Sequence, residues 1–298
     1  MDHTVTPEED GRKVRDILRR SMEVSYTALK SAKWNGRIRL NGEPVRADAK
    51  AAAGDTLSIE WAEEKPAYRP KPYEIELEIP WIDEHLMAVV KPAGIASQSG
   101  RNHPDDSLEN AVYAYFGCPE QFVYRPVNRL DKGTGGLMLI ARTPHAQQLL
   151  QRQLHTSAFR RRYLAWTDGR PEKDSGVIDL PIAKEPGATV RRTVSPDGKA
   201  SRTRYRVLRE QGDGALILLE LETGRTHQIR VHLSHIGCPV RGDFLYGKEQ
   251  SEEFPGCFAL HSAMLETVHP LTGETIRLTS VPRWAEGTGE DVLFMDFD

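Results

Sequence analysis

Pro66, Pro70 and Pro72 stand among charged residues between Ala62 and Pro72 and interrupt the chain early. A stretch of this kind forms a semi-rigid linker that carries no core. It confines residues 1–62 to a small unit that can bury little apolar surface alone. The larger part of the 298 residues must fold behind it, and that length suits one large domain with a small one in front. The organisation expected is a small unit at 1–62, a linker at 63–72, a main domain at 73–284 and an acidic tail at 285–298.

The small unit has local signals. Val14, Ile17 and Leu18 recur at helical spacing, and Ser25 is placed to cap a second short helix running to Lys33. Arg37 to Val45 alternates around Asn41-Gly42, a strong hairpin signal, and Gly54-Asp55 turns the chain into another alternating strand, Thr56 to Trp61.

In the main domain strands are expected at Leu86–Val90, Leu137–Ala141, Tyr163–Thr167, Thr203–Leu208, Ala215–Glu222 and Glu274–Thr279. Helices are expected at Leu108–Phe116, at Pro144–Leu154 behind a Thr143 cap, and at Thr226–His235, stopped by Gly237. The strands do not alternate regularly with helices, so a doubly wound sheet is excluded. An α+β domain on a mixed, mostly antiparallel sheet fits better.

Charge adds a second division. The chain holds 40 Lys and Arg against 43 Asp and Glu, a formal net charge of -3. From Arg12 to Arg46, however, ten basic residues face only Asp16, Glu23 and Glu43. At the other end Glu286, Glu290, Asp291, Asp296 and Asp298 stand with no basic residue among them. The near-neutral total therefore hides a basic N-terminal segment, which suits a polyanionic partner. No apolar run approaches a membrane span. Cys118, Cys238 and Cys257 form no metal or disulfide pattern. The polar, acidic first residues are unlike a targeting peptide. A cytoplasmic monomer without metal or other cofactor is the expectation.

Three stretches could carry chemistry. In Arg125–Arg142 one acid, Asp131, lies among Arg125, Arg129 and Lys132 in a glycine-rich loop before an apolar strand. An ionised carboxylate there can act as a nucleophile or stabilise positive charge, or be an ordinary turn residue. Gly133-Thr134-Gly135-Gly136 suggests phosphate binding, but no Gly-Lys-Ser/Thr follows, which excludes a P-loop. Gly224–His235 opens a helix with the donors Arg225, His227, Gln228 and Arg230, suited to anions. His232 and His235 could bind metal, but hydrogen bonding or packing is the better reading. In Phe159–Ala165 a basic run leads to Tyr163, which can stack on a base or pack at a sheet edge.

These residues resemble the RluA-type pseudouridine synthases. Arg129-Leu130-Asp131 with Thr134-Gly135-Gly136-Leu137 is similar to that family's His-Arg-Leu-Asp-x-x-Thr-Ser-Gly-Leu motif. Arg161-Arg162-Tyr163 is similar to its basic-x-Tyr motif, and Gly224 to His232 to its Gly-Arg-x-His-Gln-Ile-Arg-x-His motif. Lys91-Pro92-Ala93-Gly94, Gly198-Lys199-Ala200, Gly242-Asp243, Tyr246-Gly247 and Leu260-His261-Ser262 also match, in family order. Asn128 and Gly135 depart from the commoner His and Ser. Residues 1–62 resemble the S-four RNA-binding domain, with Arg12, Lys13, Lys30, Lys33, Arg37 and Arg39 as candidate RNA contacts.

The resemblance implies an α+β catalytic domain with a central RNA-binding cleft that isomerises uridine to pseudouridine without a cofactor. The uracil–ribose bond breaks and the ring rejoins through carbon 5. It implies Asp131 as the catalytic carboxylate, Arg230 as its ion-pair partner, and Tyr163 stacked on the uracil and able to assist proton removal. Arg129 would support the site vacated by a flipped base, and Arg225, His227, Gln228 and Lys199 would bind substrate. Structured RNA is the implied partner, ribosomal RNA ahead of transfer RNA. A non-catalytic ribosome-assembly protein and a nucleoside hydrolase are the alternatives.

Overall fold

The computed structural model describes the chain except residues 1, 25, 27, 28, 31, 33–36, 61–65, 155, 249–251 and 298. The chain divides into two compact units, Met1–Ala67 and Tyr68–Asp298.

In the first unit, helix α1 (Val14–Arg20) lies beside a four-stranded antiparallel sheet of β1 (Asp2–Thr4), β2 (Ile38–Leu40), β3 (Glu43–Pro44) and β4 (Thr56–Ile59), ordered β1-β4-β2-β3. Asn41 and Gly42 both have positive φ, 54° and 85°, the backbone that the tight β2–β3 hairpin requires. Val14, Ile17, Leu18, Ile38, Leu57 and Ile59 form its core. The second helix expected over 25–33 falls largely outside the described residues, as does the candidate contact Lys33.

The second unit is built on one nine-stranded sheet. Its strands are β5 (Glu78–Ile82), β6 (Leu86–Lys91), β7 (Gly135–Ala141), β8 (Phe159–Asp168), β9 (Ser175–Asp179), β12 (Arg202–Gln211), β13 (Gly214–Leu221), β14 (Leu260–Val268) and β15 (Thr275–Thr279). A separate hairpin joins β10 (Ile182–Lys184) to β11 (Arg192–Val194). The order is β5-β6-β7-β14-β8-β13-β12-β9, with β15 also paired to β14. Among these named strands only β7 and β14 run parallel, so the expected mixed, mostly antiparallel α+β architecture is the one observed.

Alternation along the strands puts side chains on both faces, and both faces are buried. Met87, Val89, Met138 and Ile140 join a core with Leu108 and Val112 of α2 (Leu108–Tyr115) and Ile229 and Leu233 of α4 (Gln228–His235). Leu86, Ala88, Leu137 and Leu139 pack with Ala146 and Leu150 of α3 (Pro144–Gln153). Leu164, Leu216 and Leu218 pack with Leu293 of α5 (Glu290–Phe294).

Residues 285–297, expected as an acidic tail, are packed onto the second unit. Leu293 is fully buried, and fully buried Arg162 donates to the carbonyls of Leu293, at 2.7 Å, and Met295. The apolar residues among the acids, Leu293 and Phe294 with Phe297, bring the segment into the core. Likewise residues 68–72, assigned to the linker, belong to the second unit: Tyr68 donates to Glu109, and the Lys71 carbonyl accepts from Asn110 Nδ2 at 2.8 Å.

Candidate active site

The loop between α2 and β7, the start of β8 and the segment entering α4 meet around an open cleft of about 570 Å³. Asp131, Arg129, Tyr163, Arg225, His227, Gln228 and Arg230 all line it. Lys199 does not. It is exposed, outside the cleft, on the segment whose backbone pairs with Ile182.

Asp131 sits in a turn closed by the Thr134 amide donating to the Asp131 carbonyl at 3.1 Å. The glycines after it are needed for close packing. A Cβ on Gly136, whose φ is +106°, would lie 2.3 Å from the Ser262 carbonyl oxygen, and one on Gly133 would strike the Phe258 ring. They seat the loop against β14 and the segment before it, where no side chain fits. Lys91 fixes the loop from below: its Nζ donates to the carbonyls of Pro92 at 2.8 Å, Ile95 at 2.9 Å and Lys132 at 3.2 Å. Burial pulls this ammonium down to about 7, while the nearby Asp131 charge works the other way.

The Asp131 side chain is 26% exposed, open to the cleft, and accepts from Arg230 Nη1 at 3.1 Å. Arg230 is buried, and its other edge donates to Asp243, Nε at 2.7 Å and Nη2 at 2.8 Å. One guanidinium thus joins a fully buried carboxylate to a partly open one, with Phe258 4.3 Å and Tyr246 5.0 Å from its carbon. Burial alone would weaken the charge, but the two carboxylates outweigh it and raise the Arg230 pKa further.

His227 immediately precedes α4 with a positive φ of 59°, an uncommon backbone for a residue with a side chain. Its Nε2 lies 3.9 Å from Asp131 Oδ2 and its Nδ1 2.9 Å from the Tyr246 hydroxyl, and burial lowers its pKa. Tyr163 on β8 is almost wholly buried at the cleft floor. Burial raises its phenol pKa, against the pull of Arg161.

The cleft presents a carboxylate held by one arginine, an aromatic ring on the floor and a rim of further arginines. A model of the family described as RNA pseudouridylate synthase matches residues 85–235, just over half the chain, and spans Asp131, Tyr163 and Arg230. The chain belongs to this family.

It is an RNA pseudouridine synthase, an isomerase acting on RNA. An uncharacterised RNA pseudouridine synthase of Bacillus subtilis is 36% identical over 256 residues, 85% of this chain and 90% of the relative. A protein named ribosomal large subunit pseudouridine synthase D in Xanthomonas campestris is 32% identical over 298 aligned positions, covering 94% and 88%. The Nitrosomonas europaea protein of the same name is 40% identical over 210, covering 68% and 61%. The solved structure of human RNA pseudouridylate synthase domain containing 1 shares the fold, with a TM-score of 0.58 over 70% of this chain and 84% of that one at 24% identity.

One expectation for the synthase needs correcting in light of its geometry. Gln228 lines the cleft, yet its polar atoms are used internally. Oε1 accepts from Thr223 Oγ1 at 2.8 Å and the Arg225 amide at 3.0 Å, and Nε2 donates to the Arg202 carbonyl and Thr203 Oγ1, both at 3.0 Å. It fixes the loop carrying Arg225 and has no donor left for substrate. Arg225 itself pairs with neither Asp131 nor Asp243; its Nε donates to the Ala200 carbonyl at 3.2 Å. His232 bonds Thr203 Oγ1 and the Leu180 carbonyl, both at 2.9 Å, which is the hydrogen-bonding reading. Among the described residues no group of three or more His, Cys, Asp or Glu could hold a metal ion, and no helix is long and apolar enough to cross a membrane.

Asp243, Tyr246 and Phe258 were missed as site residues. Asp243 and Tyr246 lay within recognisable short motifs, but nothing local marks an aspartate as the anchor of an arginine thirteen positions earlier.

Proposed function

We propose that the synthase isomerises specific uridines of large-subunit ribosomal RNA and that Asp131 is the carboxylate doing so. Cleaving the uracil–ribose bond builds positive character on the sugar, which a carboxylate at the cleft mouth can stabilise or trap. The supporting observation is the Asp131–Arg230–Asp243 chain: Arg230 orients Asp131 while Asp243 fixes Arg230. Tyr163 stacks on the uracil and assists loss of the carbon 5 proton. Arg129, exposed at the rim, fills the place of the flipped base. The ring leaves through nitrogen and returns through carbon, so the product is an isomer and no redox partner enters.

The ribosomal target is supported by the two relatives named for the large ribosomal subunit. Residues 1–62 serve as an S-four-like RNA-binding domain, supported by Arg12, Lys13 and Lys30 being exposed. Asp131→Asn should abolish tritium release from RNA labelled at carbon 5 of uridine while leaving RNA binding within about twofold, since the fold keeps its shape. Retained turnover would overturn the assignment. Pseudouridine maps of RNA from cells with and without the gene should differ in large-subunit ribosomal RNA; a difference confined to transfer RNA would move the target there.

A further inference from the structure

Three consecutive arginines open β8, and they are used differently. Arg160 and Arg162 both turn to Glu220, at 3.3 and 2.5 Å, on the same side of the strand. Arg161 points the other way, with Tyr163, into the cleft. It is only 8% exposed. It makes no ion pair or hydrogen bond with any described residue, and its Nε is a buried donor with no partner. Its guanidinium lies 5.6 Å from the Phe159 ring, and a Cβ on Gly224 would stand 3.5 Å from Nη1, in ordinary contact with it.

An arginine that is nine-tenths buried and lacks a counter-charge is costly unless an anion completes it. The other buried arginine of the cleft, Arg230, has two carboxylates. The anion missing from Arg161 must therefore come with the substrate, and RNA offers phosphodiester oxygens matched to the guanidinium fork. Residues two apart on a strand stand roughly 7 Å from each other on one face. A single nucleotide can span that interval, with its base on Tyr163 and its backbone phosphate at Arg161.

We propose that Arg161 binds a phosphodiester adjoining the flipped uridine, forming with Tyr163 a subsite that holds one nucleotide by its phosphate and its base. This rests on the reading that the target uridine enters this cleft.

The test uses the full chain and RNAs carrying the mapped target uridine with one neutral methylphosphonate linkage, on its 5′ or its 3′ side. For the wild type, one of these linkages should lower kcat/KM about tenfold or more, the loss expected for a charge-assisted hydrogen bond. In Arg161→Gln the same linkage should change kcat/KM less than about twofold, because both changes remove the same interaction. Arg161→Lys, which keeps the charge without the fork, should retain part of the sensitivity and carries the test if the glutamine variant fails to fold. Losses that multiply at both linkages, a lysine variant as sensitive as the wild type, or a wild type indifferent to both linkages would each overturn the proposal. Asp131→Asn on unmodified RNA separates the two levels. Retained pseudouridine there removes the cleft from the chemistry and the Arg161 subsite with it. Lost pseudouridine together with multiplying losses overturns the subsite alone.

Discussion

Asp243 does not line the cleft, yet it holds the arginine that holds Asp131. It is fully buried, takes two of the Arg230 donors, and receives the Leu245 amide at 3.0 Å and the Tyr246 amide at 3.3 Å on Oδ1. Removing Asp243 leaves the buried Arg230 only the partly open Asp131 as counter-charge, so Asp243→Ala should lose up to about 3–5 kcal/mol in urea unfolding. In the variant that still folds, Arg230 can swing away from Asp131, and kcat should fall more than KM rises. A stable variant with unchanged kcat would show that Arg230 is positioned by Phe258 and Tyr246 alone. At this scale the motif residues were legible because chemistry restricts them to few types. The partnership of Arg230 with Asp243 was not, because it is made in three dimensions. Gln228 was misread for a related reason: a donor in a motif looks available until its bonds are counted.

The elements divide along a similar line. Strands β6, β7 and β13 declare themselves as continuous apolar runs, since both of their faces are covered. The central strand β14 does not. Leu260–Val268 interleaves His261, Ser262, Glu266 and Thr267 with its apolar residues, and two of its three partners, β7 and β8, lie about a hundred residues away with no turn signal to announce them. The C-terminal segment was hidden by its acidic composition. Truncation after Gly289 should remove Leu293 from its core and two carbonyls from Arg162, lowering stability by more than about 3 kcal/mol from apolar burial and broken hydrogen bonds together. A melting temperature unchanged by truncation would mean the segment only rests on the sheet. In the first unit, Glu9 gives α1 an acid-sensitive anchor. Burial opposes its charge, but the Ser21 hydroxyl, the His3 ring at 2.7 Å and the Thr6 amide at 3.0 Å outweigh it and lower its pKa to about 2. A depressed carboxylate contributes stability that is complete above its ordinary value near 4.5 and is lost as pH falls towards 2. The protection factor of the Ile17 amide in the full chain, its exchange rate compared with that of an unfolded chain at the same pH, should therefore fall across that window, and Glu9→Gln should flatten the response; equal pH dependence in both would remove Glu9 as the cause.

At the scale of the whole molecule, the formal charge of -3 is a poor guide to how the synthase meets a polyanion. In the second unit several acidic residues are committed in place: Glu220 to Arg160 and Arg162, Asp243 to Arg230, Glu266 to Arg160 and Arg277. In the first unit the bases are less committed. Arg12, Lys13 and Lys30 are exposed, Arg37 is half-buried, and Arg39 shares Glu60 at 3.4 Å and the Gly42 carbonyl at 3.1 Å. If these residues touch phosphates, binding RNA releases counterions and affinity falls with salt in proportion to the number of phosphates neutralised. Changing Arg12, Lys13, Lys30 and Arg39 to Gln in the full chain should weaken RNA binding. It should also reduce the slope of log affinity against log salt by roughly 0.7–0.9 for each phosphate no longer neutralised, measured between about 50 and 200 mM. The Asp131 cleft is untouched by these changes, so kcat at saturating RNA should hold while KM rises. Weaker binding with an unchanged slope would place the loss in folding of the first unit rather than in phosphate binding, and an unchanged KM would leave RNA recognition to the arginines of the cleft.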